Sequence, residues 1–191
     1  MSYFSVNNLK PIFSTPLSLS LARGSHKMTD EDAEYRIVVA LHEAAHYAAA
    51  IACPKTSILG VSIYAPFCNT FMSRHMEGQV RAMSVDAEHD AFGNFVGLAW
   101  EELHGDITCA AADEKAGKAH AKYAAGRGDP EEKTKEILDK ARRFVVLADQ
   151  PIRWAAVGLL GLIPKSGELT RDKTARLSDA LRPKVPPYWR V

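Results

Sequence analysis

Two histidines four residues apart, His42 and His46, bracket Glu43 in the run Val38-Val39-Ala40-Leu41-His42-Glu43-Ala44-Ala45-His46, an H-E-x-x-H pattern in a strongly helical setting. On a helix, positions i and i+4 project from one face roughly 6 Å apart, so both imidazoles can hold one ion about 2.0 to 2.1 Å from each nitrogen. Glu43 follows His42 directly, which leans its carboxylate toward water on that ion instead of making it a third ligand. Zinc lowers the pKa of its bound water to about 7, and a carboxylate that takes the proton lets the oxygen attack a polarised carbonyl. The chemistry expected is amide hydrolysis with Zn(2+) as cofactor, His42 and His46 as metal ligands and Glu43 as catalytic base. Leu41, Ala44, Ala45, Ala48 and Ala49 surround the histidines with apolar groups. Buried imidazoles need partners, and a metal supplies one.

The elements that position these residues read as largely helical. Thr29 followed by Asp32 resembles a capping box, and apolar spacing then runs from Ala33 to about Cys53, where Pro54 stops the helix. Ser57 to Tyr64 (SILGVSIY) is the best strand candidate, with a weaker one near His75 to Met83. In zinc proteases of the general H-E-x-x-H kind an edge strand above the metal pairs with extended substrate, a use open to Ser57–Tyr64 alongside simple cover for the helix. Ser84 is placed to cap a helix through about His104, with Phe92, Phe95, Val96, Ala99 and Leu103 on one face and Gly105 at its end. An alanine-rich helix follows from about Thr108 to Ala125. Asp129-Pro130-Glu131-Glu132 then opens another, with Asp129 as N-cap, Pro130 at N1 and Glu132 as the reciprocal cap. That cap accounts for the Arg127-Gly128-Asp129 tripeptide without an adhesion role. Helices over Pro151 to Leu162 and Thr170 to Leu181 complete the body. The fold class expected is mostly α with a small β-sheet, α+β.

With 191 residues, 47% hydrophobic and 25% charged, the chain can bury one sizeable core, expected over residues 30–181. Its 24 basic and 23 acidic side chains nearly cancel, which argues against a nucleic-acid or acidic-membrane partner. Cys53, Cys68 and Cys109 are odd in number and widely spaced, as suits reduced thiols in a cytoplasmic setting. The most apolar stretches, near Ile37–Ala52 and Trp154–Ile163, are too short or too interrupted to span a bilayer. Residues 1–29 hold no acidic side chain and six serines. That composition reads as a disordered extension, or alternatively as an organelle-targeting segment. Residues 182–191, with Pro183, Pro186 and Pro187, read as an extended polyproline-like tail.

Tetrahedral catalytic zinc needs a third protein ligand. From the residues alone Glu101, Glu102, Asp106, Asp113 and Glu114 are all open. The segment Val96-Gly97-Leu98-Ala99-Trp100-Glu101-Glu102-Leu103-His104-Gly105-Asp106-Ile107-Thr108-Cys109-Ala110-Ala111-Ala112-Asp113 resembles the second signature of FtsH-type peptidases, AAA+ zinc proteases with a Gly-Gly-Arg-x-Ala-Glu-Glu stretch and a later Thr-Gly-Ala-x-Asn-Asp. The resemblance covers about residues 30–181 and implies a zincin-like helical metallopeptidase domain in which Asp113 is the third metal ligand. Departures are Ala45 for a Gly, Val96 for the first Gly, Leu98 for Arg, Trp100 for Ala, and Cys109 and Ala112 before the ligand. Cys109 and His120 share a helical face with Asp113, so Cys109 is a further group able to approach the metal. Glu101 and Glu102 match the family's acidic pair and read either as support for a ligand or as ordinary helix-end charges. His75, His89 and His104 read as surface residues, and the three tryptophans as packing.

No Gly-rich phosphate loop or ATPase module accompanies the site. The expected activity is therefore an ATP-independent zinc metalloendopeptidase acting on peptides or unfolded protein, with a separate unfoldase as a possible partner. Two rivals stand beside it. One is a non-catalytic metal-binding adaptor or inhibitor on a peptidase scaffold, and the other a different H-E-x-x-H hydrolase such as a repressor-cleaving protease.

Overall fold

A computed structural model of the chain describes residues 2–4, 30–64, 77–105, 110–163 and 167–191. In chain order its elements are β1 (Ser2–Phe4), α1 (Asp30–Ala52), β2 (Ser57–Tyr64), β3 (Glu77–Ser84), α2 (Ala87–His104), α3 (Ala110–Ala125), α4 (Pro130–Leu147), α5 (Asp149–Leu162), β4 (Gly167–Glu168) and α6 (Arg171–Leu181), followed by a 3-10 turn at Tyr188–Arg190. Among the described residues this is a mostly helical chain with a small antiparallel sheet, an α+β arrangement.

α1 is the hub. Every residue from His42 to Cys53 is buried, because small alanines on all faces let other elements approach from several sides. α2 and α5 pack on it, and β2 and β3 cover another flank. Pro54 ends the helix as expected, and Lys55 takes a left-handed φ of 61° in the turn to β2. The strand order is β1-β3-β2-β4, with all pairs antiparallel. β2 spans the expected residues, and its outer edge is covered in part. Ser62 and Ile63 pair with β4 on one side while β3 runs along the other, and the Leu169 N–H donates to the Val61 carbonyl at 2.8 Å. β1 pairs with Ala82 to Ser84 only. Of the 1–29 stretch, 5–29 lie outside the described residues, as does Thr29 of the expected capping box.

α2 starts two residues later than expected, capped by Asp86 and not Ser84. Ser84 is still paired in the sheet, so the chain turns only afterwards; Asp86 Oδ1 then accepts from the Glu88 N–H at 2.9 Å. Gly105 ends the helix at φ 75°, its N–H donating to the Glu101 carbonyl. Asp129 caps α4 by accepting from the Glu131 N–H at 2.8 Å, in the role expected for it. α4 and α5 meet at Ala148 with a bend of 74° between them, and among the described residues no single helix is long and apolar enough to cross a membrane. Phe92, Phe95, Trp100, Phe144, Ile152 and Leu159 fill the core between α2, α4 and α5.

The Pro-rich end is docked, contrary to the extended tail expected. Val185 and Tyr188 are buried; the Tyr188 ring meets Phe92 and His89 edge to face, Lys140 lies 4.0 Å over it, and its hydroxyl donates to Glu88. Burying an aromatic ring of this size against an apolar helix face offsets the entropy of ordering a few residues already stiffened by proline.

Candidate metal centre

Two helices bring one donor set together. His42 and His46 come from the middle of α1, and Asp113 from the first turn of α3, where the positive end of a helix suits a carboxylate. The His42 and His46 Nε2 atoms lie 3.0 Å apart, and Asp113 Oδ2 lies 3.1 Å from the first and 3.2 Å from the second. Donors about 2.0 to 2.1 Å from a tetrahedral ion sit roughly 3.3 Å from one another, so this triangle is already close to the size an ion requires. All three side chains are buried, His42 at 2%, His46 at 4% and Asp113 at 0% exposure.

The far side of each ring shows why the near side needs a cation. His46 Nδ1 lies 2.8 Å from the Gly93 carbonyl, which can only accept, so Nδ1 carries the hydrogen and the neutral ring presents a bare lone pair at Nε2. His42 Nδ1 lies 2.8 Å from Glu101 Oε1, at ion-pair distance but off the line of an N–H hydrogen bond; a hydrogen on Nδ1 facing that carboxylate leaves the same bare Nε2 on this ring. Two lone pairs and a carboxylate oxygen therefore face one another at hydrogen-bond distance. Without a metal, a proton must fill the gap. Burial works against a charge on His42, but contacts with Asp113 and Glu101 outweigh it and lift its pKa well above the usual imidazole value. Asp113 also pays for burial, yet the adjacent His46 and His42 hold its pKa down to about 2. The second oxygen of Asp113 has no hydrogen-bond partner among the described residues. The donor types, their spacing and this orphaned oxygen all fit a divalent ion.

Backbone without side chains makes the room. A Cβ on Gly97 of α2 would lie 2.5 Å from His46 Cε1 and 2.7 Å from Asp113 Oδ2, so only glycine can stand there. One turn along α3 from Asp113, Gly117 lets α3 close on α2, since a Cβ there would strike the Phe95 ring at 2.5 Å. The spacing alone carried no sign of these glycines, or of the Gly93 carbonyl; they become visible only when α1 and α2 are laid antiparallel, His46 against Gly93 and His42 against Glu101.

Glu43 is not one of the three clustered donors. It is buried at 1% exposure against β3, where a Cβ on Gly78 would meet its Oε1 at 2.5 Å, and its Oε2 has no hydrogen-bond partner among the described residues. Burial raises its pKa; His42 and His46 oppose this, Asp113 adds to it, and a backbone hydrogen bond from Val80 opposes it.

The other candidates lie elsewhere. Glu102 is exposed and holds Arg142 at 2.8 and 3.1 Å, while Glu114 pairs with Lys118. Asp106, Cys109 and His75 fall outside the described residues. His120 approaches Asp90 at 4.0 Å and is not part of the triangle. His89 is buried against Tyr188 and His104 is half-buried, stacked on Trp100, so neither is the surface residue expected. Trp100 is core, but Trp154 and Trp189 are largely exposed, with Lys184 over the Trp154 ring. Compared with family models, with curated proteins and with solved structures, the chain finds no match.

Proposed function

We propose that this chain is a zinc-dependent, ATP-independent peptidase in which His42, His46 and Asp113 hold the ion and Glu43 moves the proton. The observation that carries this reading is Glu43: a buried carboxylate with one unpartnered oxygen, beside a three-donor set that leaves the fourth position of a tetrahedral ion to water or substrate. A structural zinc site is closed by four protein ligands, and no fourth donor joins the cluster among the described residues. Zinc bound there supplies Lewis acidity, polarising a carbonyl oxygen and bringing the pKa of water to about 7. Glu43, whose affinity for a proton is raised by burial, takes the proton from the attacking water and returns it to the leaving nitrogen. The segment Val96–Asp113 and its resemblance to FtsH-type peptidases support peptide or unfolded protein as substrate. β4 covers β2 at Ser62 and Ile63 and β1 covers β3 from Ala82 on, so this reading lays the substrate backbone along β3 near Gly78 and Gln79, the uncovered stretch beside Glu43 among the described residues.

A second reading, a metal held for architecture or partner binding without turnover, draws on the near-complete burial of His42, Glu43, His46 and Asp113. Metal content and cleavage of unfolded protein and a peptide panel, measured for wild type and Glu43→Gln, separate the two. Peptidase chemistry requires stoichiometric zinc in both proteins and a loss of about 100-fold or more in the variant. Stoichiometric zinc with no cleavage by wild type would establish the second reading instead.

A further inference from the structure

We propose that Glu101 is the positioning residue of this centre, the carboxylate that fixes the His42 ring so that Nε2 faces the ion. This rests on the reading of His42, His46 and Asp113 as metal ligands. α2 meets both rings from behind with groups eight residues apart, the Gly93 carbonyl at His46 Nδ1 and the Glu101 carboxylate at His42 Nδ1, each at 2.8 Å. Gly97 stands midway, where the helix must pass the donors themselves. These positions, spaced by four, lie on one face of α2, so a single helix orients both imidazoles.

Glu101 differs sharply from its neighbour. Glu102 is exposed and engaged with Arg142, whereas Glu101 is buried at 3% exposure near the end of a helix, a placement unfavourable for a carboxylate without a compensating partner. His42 Nδ1 at 2.8 Å, close though not aligned as a hydrogen bond, is a group able to offer that compensation. Glu101 is not itself in the donor cluster, since it addresses the nitrogen on the opposite side of the ring. A carboxylate there fixes the tautomer and makes the other nitrogen a stronger donor, which a neutral carbonyl does less well. Together Asp113 and Glu101 also carry two negative charges, matching a divalent ion held between neutral imidazoles.

The test is zinc affinity, by competition with a chromophoric chelator, for wild type, Glu101→Ala, Glu101→Gln and Glu102→Gln, together with ¹H–¹⁵N spectra of the imidazole N–H groups in the zinc-loaded proteins. Glu101→Ala is expected to bind zinc about 10- to 100-fold more weakly and to lose the protected His42 Nδ1–H signal. Glu101→Gln keeps an oxygen to accept that N–H, so the signal persists at a shifted position and much of the affinity returns. Glu102→Gln should match wild type. Affinity within twofold of wild type in Glu101→Ala would overturn the proposal, as would Glu101→Gln binding no better than Glu101→Ala. Should Glu101→Ala not fold, the isosteric Glu101→Gln decides, an unshifted His42 signal with unchanged affinity being the overturning result. Wild type that binds no zinc would instead bring down the metal reading beneath it.

Discussion

Replacing Gly97 by alanine adds one methyl group, and its consequence follows from distances. The new carbon would lie 2.5 Å from His46 Cε1 and 2.7 Å from Asp113 Oδ2, where carbon contacts normally begin at about 3.5 Å. Something must move by about 1 Å. His46 cannot yield freely, because its Nδ1 is tied to Gly93 and its helix is buried on all sides here. Overpacking of this kind costs about 1–3 kcal/mol, and the better helix propensity of alanine returns about 0.5–1 kcal/mol, so the metal-free protein should lose roughly 0.5–2 kcal/mol. The ion should suffer more. Metal sites tolerate shifts of about 0.2 Å in ligand distance, so a displaced donor should weaken zinc binding by at least about 100-fold, or roughly 3 kcal/mol. Gly161 in α5 provides the control, since nothing lies within 4 Å of an added Cβ there; Gly161→Ala should leave zinc binding unchanged and stability equal or slightly raised. Urea unfolding in chelator reads the first quantity and a zinc competition titration the second. Gly97→Ala binding zinc within twofold of wild type would refute the placement of the ion between these three side chains.

Two further substitutions separate other parts of the argument. Gly78→Ala puts a carbon 2.5 Å from Glu43 Oε1 without touching the donors, so zinc content should stay stoichiometric while kcat for peptide cleavage falls by about 100-fold or more; loss of zinc in parallel with activity would contradict separate roles for β3 and the triad. Tyr47 donates to the Thr174 carbonyl at 2.8 Å and lies 2.7 Å from Ser178 Oγ, and burial raises its pKa from 10.0 to about 12. Its neutral form is the one the fold favours, so this contribution is complete below pH 10 and is lost as pH rises from there through about 12. Urea unfolding should show wild type losing of order 2 kcal/mol over that window relative to Tyr47→Phe, which itself starts about 1 kcal/mol less stable. Parallel pH curves for the two proteins would rule the phenol out as the source.

Helix identities, the span of β2, the Gly105 stop and the Asp129 cap were legible in local sequence, because each depends on residues within a turn of one another. What failed was decided by neighbours distant in the chain. Ser84 has the chemistry of an N-cap, but pairing with Ser2 of β1 holds its backbone in the sheet, and Asp86 inherits the role. β4 is two residues long, too short for any periodicity, yet by pairing with Ser62 and Ile63 it covers part of the edge that one of the two uses open to β2 required. Tyr188 follows three prolines and reads as tail; only the surface formed by Phe92, His89 and Lys140 shows it as part of the core. At the site, the H-E-x-x-H pattern singled out α1, but the convergence of Asp113 depends on how closely α3 can approach α2, which Gly117 and Phe95 determine.

That dependence also explains how a set of buried ionisable donors can persist. His42, His46 and Asp113 are all buried where they converge, and Glu43 adds a fourth buried group able to carry charge. None of these interactions would assemble the site by itself. Packing does so instead: the alanine faces of α1 seat its turns against α2 and α5, Gly97 admits the donors, and Gly117 seats α3 on Phe95. The apolar contacts thus hold the triangle open against electrostatic cost, and a proton on His42 relieves part of that cost until an ion replaces it. Binding the ion must then release this proton and add to stability, by about 2.7 kcal/mol when zinc is present at 100 times its dissociation constant. A centre built this way is preorganised: the helices fix the donor geometry before the ion arrives, so little ordering entropy opposes binding, and a change in the glycines should damage the site as surely as a change in the ligands.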